Sequence, residues 1–363
     1  MASLVLHEFH HGLNARFGEL NAAEVVADYG GWLAEHAALH KSAGVIDLSF
    51  RSRICLTGAD RVRFLHGQVT NDVKKLRTGE GCYAAITTAK GKMESDLNIF
   101  ALADELLLDF EPGLEGKVSQ RLEKFIVADD VQIVDAAPHY GLLSVQGPKA
   151  TDVVRAIDFF AEIPTAQLGS IKISDATLGE IYLANNPRLG VDGFDLFVPN
   201  NSLGAVADKL IAATKQIGGR AVGWTAFETA RIEAAIPRFN ADMDETNIPL
   251  ECGLESRAIS YQKGCYIGQE VINRIHSVGH VTRELRGLRL VDDLRILPAR
   301  GDKLFFNGKE IGQVTSAVKS PTLNANIALG YVRREADQIG NELLLRTAAG
   351  ESTANIVELP FVK

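Results

Sequence analysis

The sequence predicts an α+β fold of two duplicated units followed by a small antiparallel β-barrel, and three observations carry that prediction. A strand, a glycine turn and a helix run from Ile54 to Val69, and the same order returns from Leu142 to Ile157. β-rich runs between them are joined by hairpins, not by the long crossovers that a parallel sheet needs. After Arg283 the chain breaks into short strand-like runs separated by turn residues, the texture of a barrel or sandwich. The expected division is 1–140 for the first α+β unit, 141–280 for the second and 281–363 for the barrel.

Taken in order, residues 23–40 read as helical, with Val25, Val26, Trp32 and Leu33 near helical spacing. Asp47-Leu48-Ser49 turns into a strand at Ile54-Cys55-Leu56. Thr57-Gly58-Ala59-Asp60 then reads as a turn with Asp60 as N-cap of a helix carrying Val62, Leu65 and Val69. Cys82 to Thr87 and Met93 to Leu102 form a predicted hairpin around Ala89-Lys90-Gly91-Lys92, with a third strand at Leu106 to Phe110. Leu114, Val118, Leu122, Phe125 and Ile126 mark an amphipathic helix. In the second unit, Leu142 to Val145 leads through Gly147 into a helix with Ala150, Val153, Val154 and Ile157. Strands at 181–184 and 194–198 follow, then helices at about 202–216 and 224–234. The barrel strands are expected at 285–290, 303–306, 310–318, 328–332, 342–346 and 354–359.

The chain has 363 residues, 46% hydrophobic and 23% charged, enough for a sizeable core. Its formal net charge of -8 lacks the broad basic footprint of a nucleic-acid binder, so no nucleic-acid partner is expected. Met1 to Leu20 carries His7, Glu8, His10, His11, Arg16 and Glu19 and no apolar core of signal-peptide length. No apolar run reaches membrane-span length, so a cytoplasmic protein with no membrane partner is expected. The four cysteines, Cys55, Cys82, Cys252 and Cys265, form no CxxC pair, which argues against disulfides and against a cluster cage built by one chain. Cys55 and Cys82 lie in apolar strand-like runs and read as small buried residues.

No phosphate loop, dinucleotide-binding glycine pattern or nucleophile elbow is present. His7-Glu8-Phe9-His10-His11 fits the HExxH zinc pattern, but that pattern needs a stable helix. Near the chain start, with Gly12 next, it reads as a peripheral terminus. Three segments are candidates for chemistry. Lys263-Gly264-Cys265-Tyr266-Ile267-Gly268-Gln269-Glu270 sets a cysteine near a lysine and ahead of a helix start, the environment of a reactive thiol; the alternative is a structural glycine turn. Asp96 shares a strand face with Glu94, and two neighbouring carboxylates suit proton transfer or a cationic heterocycle, unless the face is simply solvated. Arg231, beside Glu233, is either a clamp for a substrate carboxylate or a helix-surface charge.

The run Lys263 to Glu270, "KGCYIGQE", resembles the signature of the YgfZ group of folate-binding proteins, whose mitochondrial relatives act late in iron–sulfur protein maturation. "FLHGQVTNDV" (Phe64 to Val73), "KGKMESDL" (Lys90 to Leu97), "GVDGFDLFVP" (Gly190 to Pro199) and "ARIEAAIPRF" (Ala230 to Phe239) follow in that family's order. They resemble motifs shared with the glycine-cleavage aminomethyltransferase. The resemblance implies an aminomethyltransferase-like ring of duplicated α+β folate-binding domains around a central tetrahydrofolate site, with the C-terminal barrel appended. It implies tetrahydrofolate or a one-carbon derivative as ligand, and iron–sulfur client proteins or assembly factors as partners. Cys265, Lys263 and Asp96 are the implied working residues, with Asp96, Arg231 and Asp195 as folate contacts. Gly264, Tyr266, Gly268, Gln269 and Glu270 complete the motif. The function so implied is assembly or repair of iron–sulfur proteins; the alternative is transfer of a one-carbon unit to tetrahydrofolate in glycine cleavage. Two departures from the enzyme pattern count against the alternative. Val191 stands where the pterin-facing glutamate is expected, and Ala235 replaces the usual glycine after "EA".

Overall fold

Two sheets and a closed barrel frame the computed structural model, which describes residues 3–362 of the chain. The first sheet is antiparallel throughout, in the order Gly81–Thr87, Met93–Ala101, Leu106–Phe110, Ser52–Thr57, Gln132–Asp135. The second runs Ser170–Asp175, Gly179–Asn185, Gly193–Pro199, Tyr140–Gln146, Gly44–Asp47, Arg220–Ala221, with only its last pair parallel. Thus the early strand Gly44–Asp47 lies in the same sheet as the strands after residue 140. From Arg283 onward six antiparallel strands close a barrel around Leu288, Leu304, Val314, Leu343 and Leu345. The predicted α+β fold with a C-terminal barrel is the fold the chain adopts.

Three local expectations are corrected. Ala23–Asp28 is a strand, paired antiparallel with Arg16–Leu20, and the helix begins only at Trp32. The β-branched pair Val25 and Val26 packs better on a sheet than in a helix. Gly30 at φ 85° then breaks the chain before the helix. Asp60 does not cap the helix Arg61–Gln68; its carboxylate accepts the Asp130 N–H at 2.9 Å and pairs with Arg63. The N-terminal histidine cluster is packed down and not peripheral. His7–Gly12 is a short helix whose His10 is 2% exposed, with Nε2 2.9 Å from Asp47, while His7 Nδ1 pairs with Glu24.

Two contacts set the geometry around the site. The helix Trp224–Glu233 packs between the helix Trp32–Lys41 and the barrel strand Lys309–Ser320, and it also meets the strand Ala23–Asp28. The Lys263–Glu270 loop seats on the hairpin that ends in Asp96's strand. Gly268 sits at φ 92°, and a Cβ there would lie 2.6 Å from both Thr87 Oγ1 and the Thr88 carbonyl, so only glycine fits. The Thr87 hydroxyl donates to the Ile267 carbonyl at 2.6 Å, and Ile272 of the following helix joins Phe239, Leu97 and Ile99 in one core. Burying a side chain of this size contributes about 1.5–3 kcal/mol. No helix among the described residues is long and apolar enough to cross a membrane.

Candidate functional site

Strand alternation in Met93–Ala101 sends Met93, Leu97 and Ile99 into the core and leaves Glu94, Asp96 and Asn98 on the other face. Asp96 and Asn98 there line a cleft of about 750 Å³, its open mouth included, together with Tyr83, Glu111 and five arginines. The Tyr83 hydroxyl donates to Asp96 Oδ2 at 2.7 Å, while Asp96 Oδ1 is shielded from solvent and has no partner among the described residues. Burial is the largest influence on this carboxyl, and the nearby Glu111 carboxylate adds to it. The Tyr83 bond and Arg51 pull the other way. The net result is a pKa pushed up to about 6. Glu94 plays no part in this: it turns to Arg121 at 2.7 Å. The expected Glu94–Asp96 pairing is therefore corrected to Glu111 and Asp96.

A chain of alternating charges walls the cleft. Asp195 holds Arg188, which also reaches Asp109; Asp109 holds Arg51, and Arg51 holds Glu111 at 2.8 Å. Glu111 then holds Arg238 at 2.7 Å, Arg238 meets Glu228, and Glu228 and Asp242 both hold Arg231. Burial alone would push Asp109 up, but Arg51 and Arg188 outweigh it and hold the carboxyl well below the usual range. The sequence pattern points to Asp96, Asp195 and Arg231. It does not point to Arg51, Glu111, Arg188 and Arg238, whose only sequence signal is a polar residue in an apolar strand or turn.

The three predicted ligand residues have different placements. Asp96 faces the cleft. Asp195 is fully buried behind it, its oxygens taken by Arg188 and by Asn186 Nδ2 at 2.8 Å. Arg231 lines the cleft, but its guanidinium is committed to Glu228, Asp242 and Ser316 Oγ, and it is 1% exposed. Val191 is 38% exposed and does not line the cleft, so it leaves no gap in the cleft wall. Ala235 sits at φ 57°, the left-handed conformation that favours glycine, which gives a physical reason for glycine there in the resembling enzymes. Lys92 points elsewhere, donating to the Thr246 carbonyl and lining an open groove of about 1860 Å³ beside the barrel. That groove is larger than the Asp96 cleft, but its lining brings in neither Asp96 nor the chain of buried ion pairs.

Lys263 is buried, and its ammonium donates to the carbonyls of His66 and Val69 at the end of the helix Arg61–Gln68. Burial lowers its pKa to about 8. A cation against the last carbonyls of a helix is a C-terminal cap, so Lys263 serves the helix end. Its Nζ also lies 4.8 Å over the ring of Tyr266, which is buried. Gly264, Cys265 and Glu270 are exposed, and Gln269 opens the helix Gln269–Val278. The other three thiols are shielded: burial pushes Cys55 up, and Cys82 and Cys252 up to about 12. Brief alkylation of the native protein should therefore label Cys265 before the others, read by peptide mass mapping; equal labelling of all four would contradict this placement.

The glycine-cleavage T-protein models match almost the whole chain: the GCVT N-terminal domain over residues 6–263 and the glycine cleavage T-protein C-terminal barrel domain over residues 283–363. The chain is 29% identical over 351 residues to an aminomethyltransferase of Halalkalibacterium halodurans, covering 93% of this chain and 94% of the relative. It is also 29% identical over 371 residues to one from Listeria monocytogenes serotype 4b, covering 97% of each. The crystal structure of glycine cleavage system aminomethyltransferase T from Bartonella henselae superposes with a TM-score of 0.88 at 24% identity, over 99% of this chain and 98% of that one, and shows the shared fold. These findings overturn the reading of the chain as a YgfZ-type factor for iron–sulfur proteins, and with it the iron–sulfur partners. The segment that suggested it has a structural account in the Gly268 contact and the Lys263 cap. The chain belongs to the glycine-cleavage T-protein family.

Proposed function

We propose that this protein is an aminomethyltransferase that passes a one-carbon unit from a lipoyl-bound aminomethyl group to tetrahydrofolate. The observation that carries the reading is Asp96: a cleft carboxyl with an unpartnered oxygen and a pKa raised to about 6, inside a wall of ion pairs. The names of the full-length relatives support it. Three interleaved units support the site in this reading, drawn at 1–140, 141–280 and 281–363.

The residues present fit a folate. Asp96 Oδ1 is an unmet acceptor and Arg231 Nε an unmet donor among the described residues, and a pterin edge offers both kinds of partner. Tetrahydrofolate, as co-substrate, supplies the two nitrogens that receive the carbon. In the balanced reaction the C–S and C–N bonds of the protonated aminomethyl group break, and two C–N bonds to folate form. The thiol and an ammonium ion leave, carrying the two protons displaced from folate. Asp96 is poised to hold or move a proton at Oδ1, since at neutral pH it is mostly ionised yet easily protonated. Tyr83 fixes its other oxygen. Asp195 positions Arg188, and Arg231 positions its helix against the barrel.

Reconstitution with glycine, the decarboxylase component and a lipoylated carrier protein tests this. Ammonia release that requires tetrahydrofolate is expected. No release, in a mixture where a known aminomethyltransferase works, would remove the proposal.

A further inference from the structure

Away from the Asp96 cleft, the helix Trp32–Lys41 presents His36 and His40 one turn apart on the face that meets the helix Trp224–Glu233. Both imidazole Nε2 atoms lie 2.8 Å from one oxygen of Glu233, Oε2, and 3.2 Å from each other. His36 and Glu233 are almost completely buried, while the His40 ring is 23% exposed. Among the described residues, these three side chains form the group whose ligand atoms converge closely enough to hold an ion.

The spacing is that of a coordination triangle. Zinc binds imidazole nitrogen and carboxylate oxygen at about 2.0–2.2 Å, which sets neighbouring ligand atoms about 3.3 Å apart in a tetrahedron. An ion at that distance from all three atoms would stand about 1 Å off their plane. Without a cation, two ring nitrogens crowd one carboxylate oxygen and each other, so protons must occupy the space between them. The other Glu233 oxygen accepts from Ser320 Oγ, a bond that orients the carboxylate as outer-shell partners do at metal centres. Two imidazoles and one carboxylate suit zinc or a neighbouring transition metal and not magnesium or calcium. The partly exposed side of His40 leaves room for water as fourth ligand.

We propose that His36, His40 and Glu233 bind one divalent transition-metal ion of zinc type, which pins the two helices to the barrel strand ending at Ser320. Glu233 lies two residues beyond Arg231 on the same helix, so the ion would fix the element that places Arg231. The claim does not depend on the reaction proposed above, because its readout is binding and not turnover.

The test uses tag-free, full-length protein stripped with a chelator. Titration with Zn²⁺ alone should show one equivalent bound, with a rise in melting temperature that grows with metal concentration. Co²⁺ alone should give the strong visible absorption of a tetrahedral site, bleached by added Zn²⁺. His40→Ala changes a partly exposed ring and should keep the circular dichroism of the parent; it should lose affinity at least about tenfold and lose the Co²⁺ band. If that variant does not fold, His40→Gln replaces it with the same expectation. His11→Ala, in the N-terminal histidine cluster, should leave binding unchanged. Absence of stoichiometric Zn²⁺ binding, or equal affinity in the His40 variant, would overturn the site.

Discussion

Asp96→Asn is expected to lower one-carbon transfer by about 10²–10⁴-fold, the usual contribution of a proton-handling group, while raising the melting temperature. The two effects have one cause. An unfolded aspartate titrates near 3.9, and burial together with Glu111 moves the folded value up to about 6. The folded state therefore prefers the protonated form. Below about pH 4 both states are protonated and the group costs nothing. As pH rises from about 4 to 6 the unfolded carboxyl ionises while the folded one keeps its proton, so stability falls, and above 6 the cost stays constant. The gap between the folded and unfolded values sets that cost on the order of 3 kcal/mol at neutral pH. Asparagine keeps an acceptor for the Tyr83 hydroxyl and carries no charge, so the variant escapes the cost. Melting curves of the two proteins should coincide near pH 3, draw apart between about pH 4 and 6 and keep a constant separation above that, with the variant higher. The parent's rate should climb through about pH 6 as Asp96 ionises, and the variant should lack that climb. A variant that melts earlier, or turns over normally, would show that Asp96 is a packing residue.

The barrel and the hairpins are legible in the sequence because their signals are local: alternation, turn residues and spacing repeat within a dozen positions. The strand Ala23–Asp28 is not, since Val25 and Val26 match either period and only the partner strand Arg16–Leu20 decides between them. The site divides along the same line. Asp96 can be found from its strand context, but the carboxylate that raises it, Glu111, comes from another part of the chain. Arg51 meets Asp109 across 58 positions and Arg238 meets Glu111 across 127. Lys263 shows the limit most clearly. Beside Cys265 it suggests part of a reactive thiol, yet its acceptors are carbonyls 197 and 194 positions away. Proximity along the chain suggests one partner, and the fold supplies others.

Arg231→Ala is expected to cost about 3–5 kcal/mol of stability, the range found when one member of a buried ion pair is removed. Arg231 is 1% exposed, so its removal leaves its carboxylate partner Asp242 without its cation in a site closed to water. Asp242 is 1% exposed, and Thr315 Oγ1 at 2.6 Å, the Ser316 hydroxyl and the Arg238 N–H would remain as its donors. Burial alone pushes the Asp242 carboxyl up, and Arg231 is the largest opposing influence, which leaves it below its ordinary value. A lowered folded pKa stabilises above the unfolded value near 3.9 and is lost as pH falls through the folded one. Removing Arg231 reverses the sign, so Asp242 then costs stability at neutral pH. The penalty should be largest at neutral pH and shrink below about pH 4, where the carboxyl is protonated in both states. Urea unfolding at two pH values measures this. The double variant Arg231→Met with Asp242→Asn removes both charges together and should recover a large part of the loss, giving a coupling energy well above the experimental error. A solvated helix-surface arginine, which the sequence pattern also allows, would show a loss of about 0.5 kcal/mol or less and no coupling to Asp242. The contrast decides whether Arg231 is a solvated surface charge or acts, as its bonds to Ser316 and Asp242 indicate, by holding its helix against the barrel so that the cleft keeps its shape.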